Sequence, residues 1–136
     1  MGKIHSYLIL AAALLAAIAT QSFSQEAELL AVLRSEATLE QKSAACRQLA
    51  RVGTQGAVPA LAALLGDEKL SHMARYALEA ISDPAVDDAL PDALGKVQGR
   101  PLLGVIGSLG VRRDAKAVEP LAVLLRRPDT AAAAAR

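Results

Sequence analysis

The chain has 136 residues, 53 % hydrophobic and 21 % charged, which suits one folded domain and excludes a disordered bulk. Aromatic residues make up only 2 % and Trp and Asn are absent, so a core must come from Ala, Leu, Val and Ile, a composition that leans to helices. A formal net charge of +1 means that no field of the whole chain selects nucleic acid or a membrane surface as partner.

Residues 1–24 read as an export signal. Lys3 and His5 form a short polar start, Tyr7 to Ala19 is a 13-residue apolar run, and Ser22-Phe23-Ser24 puts small residues at −3 and −1 before Gln25. The run is too short to span a bilayer, which takes about 20 apolar residues. Cleavage is expected after Ser24, placing the remainder in the periplasm or outside the cell, without stable membrane insertion. The single cysteine, Cys46, lies well past the cleavage point, so no lipid anchor and no internal disulfide are expected. It stands three residues before Leu49 on the apolar side of a helix and reads as a small buried core residue rather than a nucleophile.

The first segment past the signal, Glu26–Arg34, carries Leu29, Leu30, Val32 and Leu33. Thr38 opens the next helix, with Gln41 three residues on completing a capping box. That helix runs to about Val52 and closes at Gly53, where a positive φ is expected. Its partner starts near Pro59 and carries Val58, Leu61, Leu64 and Leu65 on one face. A second unit begins at Ser71, expected as an N-cap, and its first helix ends near Ser82. Asp83-Pro84 then supplies an N-cap and a proline at the first helical position, and the partner runs to about Leu94. A third unit opens after Gly99-Arg100-Pro101, turns at Gly110, and carries Val118, Leu121, Leu124 and Leu125 in its second helix. Thr130–Arg136 begins a further helix within a run of five alanines.

Equivalent first-helix positions Leu49, Leu78 and Ile106 are 29 and 28 residues apart, and second-helix positions Val58, Val86 and Val118 are 28 and 32 apart. A period in this range marks an α-solenoid, in which helix pairs bury their apolar faces by stacking on neighbours. Leucine-rich repeats would need Asn or Cys at the corner, tetratricopeptide repeats need aromatic positions, and ankyrin repeats show T-P-L-H; none fits. The motifs Ala50-Arg-Val-Gly53, Ala57-Val-Pro-Ala-Leu61 and Leu64-Leu65-Gly-Asp67 are echoed by Ile106-Gly-Ser-Leu-Gly110, Ala117-Val-Glu-Pro-Leu121 and Leu124-Leu125. On these residues the chain resembles the HEAT-like repeat family, in the short form of phycobilisome-lyase-type repeats. The resemblance spans about Glu26 to Arg136, although the middle unit lacks the closing glycine. The expected organisation is all-α: signal 1–24, then a repeat domain 25–136. Within that domain lie a half-repeat at 25–36, repeats at about 38–66, 71–95 and 100–127, and a truncated start at 129–136.

Reactive constellations are sparse. His72 is the only histidine beyond the signal, and a metal site needs several converging ligands, so no metal is expected. Gly104, Gly107 and Gly110 follow no strand and do not make a dinucleotide fingerprint; they read as a close-packing side of a helix. Asp83, Asp87, Asp88 and Asp92 read as a cap, a first-turn charge and a polar face rather than a calcium loop. Residues 25–95 carry 6 Lys/Arg against 11 Asp/Glu, a balance of −5, and residues 96–136 carry 8 against 3, a balance of +5. Arg112, Arg113 and Lys116 in one loop, and Arg126 and Arg127 past the following helix, read as solvated loop charges.

These features point to an exported, non-catalytic scaffold that binds a protein partner, with no cofactor, no nucleic acid and no catalytic residue. The resemblance implies that second helices line a binding face, with Asp88, Asp92 and Glu119 as contact residues. One alternative is the repeat portion of a larger exported protein whose catalytic domain lies elsewhere. A bilin-lyase-like role, which the short repeats also resemble, is disfavoured by export and by the lack of a suitable cysteine.

Overall fold

The computed structural model describes residues 21, 23–113 and 115–135; the signal segment lies outside them up to residue 20 and at Ser22. The described residues are all-helical, with eight α-helices and no strand. Helix α1 covers residues 23–34 and α2 Leu39–Val52; a 3₁₀ turn at Gln55–Ala57 leads into α3, Val58–Ala62. Then come α4 (Ser71–Ala80), α5 (Pro84–Ala93) and α6 (Gly99–Arg112). A second 3₁₀ turn, Ala115–Ala117, precedes α7 (Val118–Leu124), and α8 is Ala131–Ala134.

Side-chain caps fix the starts of α2 and α5. Thr38 caps α2 as a full box: its Oγ1 accepts from the Gln41 N–H at 3.2 Å, and its own N–H donates to Gln41 Oε1 at 2.9 Å. Asp83 accepts from the Ala85 N–H at 2.9 Å with Pro84 at the first helical position of α5. Three ends differ from expectation. Gly53 is extended, with φ −67°, not left-handed. Its N–H donates to the Leu49 carbonyl at 2.7 Å, and an added Cβ would stand 2.4 Å from that oxygen. The glycine is there for space. Ser71 is not a cap: Asp67 Oδ1 takes the N–H groups of Lys69 and Leu70, and the Ser71 hydroxyl donates back to the Leu65 carbonyl at 2.8 Å. Helix α6 begins at Gly99, where φ is +62°, and runs through Gly104, Gly107 and Gly110; the turn falls at Arg113, which takes the left-handed conformation at φ 53°.

Helix α2 packs on α4, α4 on α6, and α6 on α8. Helix α3 packs on α4 and α5, and α5 on α6 and on the turn before α7. Leu49 and Leu78, 29 residues apart, are fully buried, and Ile106 and Leu109 are buried with them. In the α3 segment Val58, Leu61 and Leu65 are buried. The corresponding residues of α7 are not: Val118 is 65 % exposed, Leu125 45 %, and Leu121 is half-buried. The cause is coverage. Helix α3 has α4 and α5 on its flanks, whereas the main contacts of α7 among the described residues are with the preceding turn and α8.

A one-residue shift accompanies this difference. Thr130 Oγ1 donates to the Leu124 carbonyl at 2.8 Å, the same six-residue clasp that Ser71 makes on Leu65. The buried member of the leucine pair therefore changes from Leu65 to Leu124. Leu61→Ala should cost about 2–5 kcal/mol in urea unfolding, the range for a large-to-small core change. Val118→Ala should stay within about 0.5 kcal/mol, as for an exposed position. Equal losses at the two sites would contradict the observed coverage.

Candidate functional site

Arg112 organises the edge where α5 meets the start of α7. It continues the stripe of α6 that carries Leu102, Val105 and Leu109, so the helix turns it inward. Its side chain is 13 % exposed. Nη1 donates to the Ile81 carbonyl at 2.9 Å and, more loosely, to those of Leu78 and Glu79 at 3.4 Å. Nε and Nη2 both donate to Asp87 Oδ1, at 2.9 and 2.6 Å. A cation thus closes the C-terminal end of α4 while an anion sits in the first turn of α5, the favourable sign at each end.

Lys116, on the turn before α7, pairs with Asp88. Arg112 and Lys116 were expected as solvated loop charges; Arg112 is instead drawn in against α5, whereas Lys116 stays exposed and pairs with Asp88 at the surface. Of the three expected contact residues, Asp88 is therefore held within the chain. Asp92, one turn further along α5, and Glu119, in the first turn of α7, are exposed. The turn before α7 packs on α5, so the two helices are joined through it. Both side chains are exposed on their helices.

A second polar cluster joins α4 to α6. Arg75 Nη1 donates to the Gly104 carbonyl at 3.2 Å and to Ser108 Oγ at 3.3 Å, and Ser108 Oγ donates to Glu79 Oε1 at 2.5 Å. The guanidinium lies across Gly104: a Cβ there would stand 2.5 Å from Arg75 Nε. Gly107 and Gly110, expected to share that close-packed side, have nothing within 4 Å of an added Cβ. His72 is exposed, its Nδ1 3.4 Å from Arg75 Nη2. His72 and Arg75, with Glu68, Ser71, Arg100 and Pro101, border an open polar hollow of about 280 Å³. Among the described residues no group of three or more His, Cys, Asp or Glu is placed to hold a metal ion.

Glu26 was missed by sequence reasoning. It is buried at the start of α1, and its carboxylate accepts from the Thr54 N–H at 2.8 Å and from Thr54 Oγ1 at 2.9–3.0 Å. It pins α1 to the turn between α2 and α3. Cys46 is fully buried, as expected, and burial pushes its thiol up to about 11, so it is protonated at neutral pH and not poised as a nucleophile. No family model matches the chain, and none of the curated proteins or solved structures compared with it matches either.

The two glycines separate packing from propensity. Gly104→Ala should lose about 1–3 kcal/mol, because the methyl group displaces the Arg75 guanidinium. Gly107→Ala should gain up to about 1 kcal/mol from helix propensity. Arg112→Ala, which strands Asp87 and the α4 carbonyls, should lose about 2–3 kcal/mol. Urea unfolding of the three variants checks the set; a destabilised Gly107→Ala would contradict the open space seen above that residue.

Proposed function

We propose that the chain is an exported α-solenoid of short HEAT-like helix pairs that serves as a non-catalytic protein-interaction scaffold. Its exposed acidic edge, Asp92 of α5 and Glu119 of α7, receives a cationic segment of the partner. The observation that carries this reading is the succession of contacts from α2 to α4 to α6, with α3 beside α5, in which leucines 29 residues apart are buried at the same point. Such stacking leaves one helix of each pair free to present side chains. Resemblance of the Ala50–Asp67 and Ile106–Leu125 motifs to HEAT-like repeats supports it from the sequence side.

The test uses the exported chain. N-terminal sequencing should read Gln25 first, and an intact Met1 would remove the export claim. Cross-linking in the exporting compartment, followed by peptide mapping, should join α5 or α7 to a basic segment of a defined protein. The Asp92→Lys, Glu119→Lys double variant should lose that cross-link at least tenfold while keeping its melting temperature. A cross-link that survives both substitutions would overturn this edge as the contact.

A further inference from the structure

We propose that the groove between α2 and α4 binds a phosphate monoester, gripped by Arg47 and Arg51.

Ala44, Arg47, Gln48 and Arg51 recur at the spacing of one helical face, so together they wall the groove from the α2 side. Tyr76 of α4 stands across from them, 51 % exposed, and the five residues border an open hollow of about 370 Å³. That is within the size of small-molecule clefts, about 300–1,000 Å³. Both walls are helices that pack on each other, so the groove is preformed.

Charge names the kind of ligand. Two cations one turn apart on a helix repel each other, and a carboxylate within reach is the ordinary remedy. Arg75, Arg112 and Arg127 each have one, in Glu79, Asp87 and Asp129. Arg47 and Arg51 make no ion pair among the described residues, and no wall of the hollow is acidic. Glu79 of α4 accepts from Ser108, and Glu40 lies two turns of α2 before Arg47. Arg47 Nη1 instead reaches Met73 Sδ of α4 at 3.9 Å, a weak acceptor, so the guanidinium leans toward α4 without being neutralised.

A phosphate monoester suits these groups. It carries about −1.5 to −2 at neutral pH, against a single charge on a carboxylate, and so answers both guanidiniums at once. Each guanidinium offers paired N–H donors that match two phosphate oxygens. The Gln48 amide and the Tyr76 hydroxyl are further donors, and the Tyr76 ring gives the organic part of the ester an apolar face.

The wider surface favours the same sign. With the Arg112–Asp87 pair set aside, α2, α4 and α6 carry five Lys/Arg against two Asp/Glu, and the other helices carry one against five. An anion is therefore steered to the row of α2, α4 and α6, away from the acidic side chains of α5 and α7.

Phenyl phosphate titrated into the chain as it accumulates in cells should shift the amide NMR signals of Arg47, Gln48, Arg51 and Tyr76, and the shifts should saturate. Benzoate should bind at least about tenfold more weakly. Arg47→Gln and Arg51→Gln should each weaken phenyl phosphate by about tenfold or more, the loss of a charge-assisted contact. Their melts should match wild type, because both side chains are exposed. Arg126→Gln, at an exposed arginine outside the groove, should leave the affinity unchanged. Phosphatidylcholine vesicles containing phosphatidic acid, whose headgroup is the same monoester, separate the sources: capture that needs Arg47 and Arg51 assigns a lipid, and no capture assigns a soluble ester. Shifts that never saturate, equal binding of benzoate, or an equal loss in Arg126→Gln would each overturn the proposal.

Discussion

One guanidinium holds the corner on which the middle of the molecule depends. Arg112 leaves the end of α6 and meets the last carbonyls of α4 and the carboxylate of Asp87 in α5. Three consecutive helices are thereby tied at one point. A helix end left without partners exposes carbonyls that burial makes costly, and a charged donor answers that cost better than a neutral one. Glu26 plays the corresponding part at the other end of the molecule, where a carboxylate meets the Thr54 N–H and hydroxyl. Between these two clamps the buried core is largely aliphatic, as a chain poor in aromatic residues requires, with the Arg75–Ser108–Glu79 cluster set between α4 and α6. Apolar burial supplies the drive, and it is non-directional. The polar clamps add direction, setting which helix end meets which corner.

Much of the helix layout was legible because its determinants are local. The Thr38–Gln41 box and the Asp83-Pro84 start follow from side chains within three residues of the helix end, and both form as read. The buried faces of α2, α4 and α3 were legible from apolar spacing, with Leu49, Leu78 and Leu61 all enclosed. What escaped depends on residues far apart in sequence. Arg112 read as a loop charge, although its place seven residues after Val105 on the apolar stripe was a signal that it turns inward. Gly53 and Gly104 looked alike as glycines, yet one makes room for a carbonyl of its own helix and the other for Arg75 of a neighbouring helix. Nothing in the local pattern of α7 separates it from α3; only the coverage of its flanks does, and coverage is set by neighbours.

The candidate site was legible to a lesser degree. Acidic side chains on α5 were visible as a polar face, but which of them stay free depended on where Arg112 and Lys116 reach. Asp87 and Asp88 are taken by these cations, and Asp92 and Glu119 are left exposed. The basic C-terminal stretch thus has two parts. Some of its charge is spent inside the fold, while Arg113 and Arg126 remain exposed.

The central claim is that stability is passed between neighbours along α2, α4 and α6, with the far end covered least. Native-state hydrogen exchange reads this residue by residue, because opening free energies range from near zero at frayed elements to the global value in the best-covered ones. In the monomer the amides of Ala77 and Leu78 in α4, which has a helix on both flanks, should exchange slowest. Those of α7 should be intermediate, and those of α8 fastest. Protection of α8 equal to that of α4 would contradict the account.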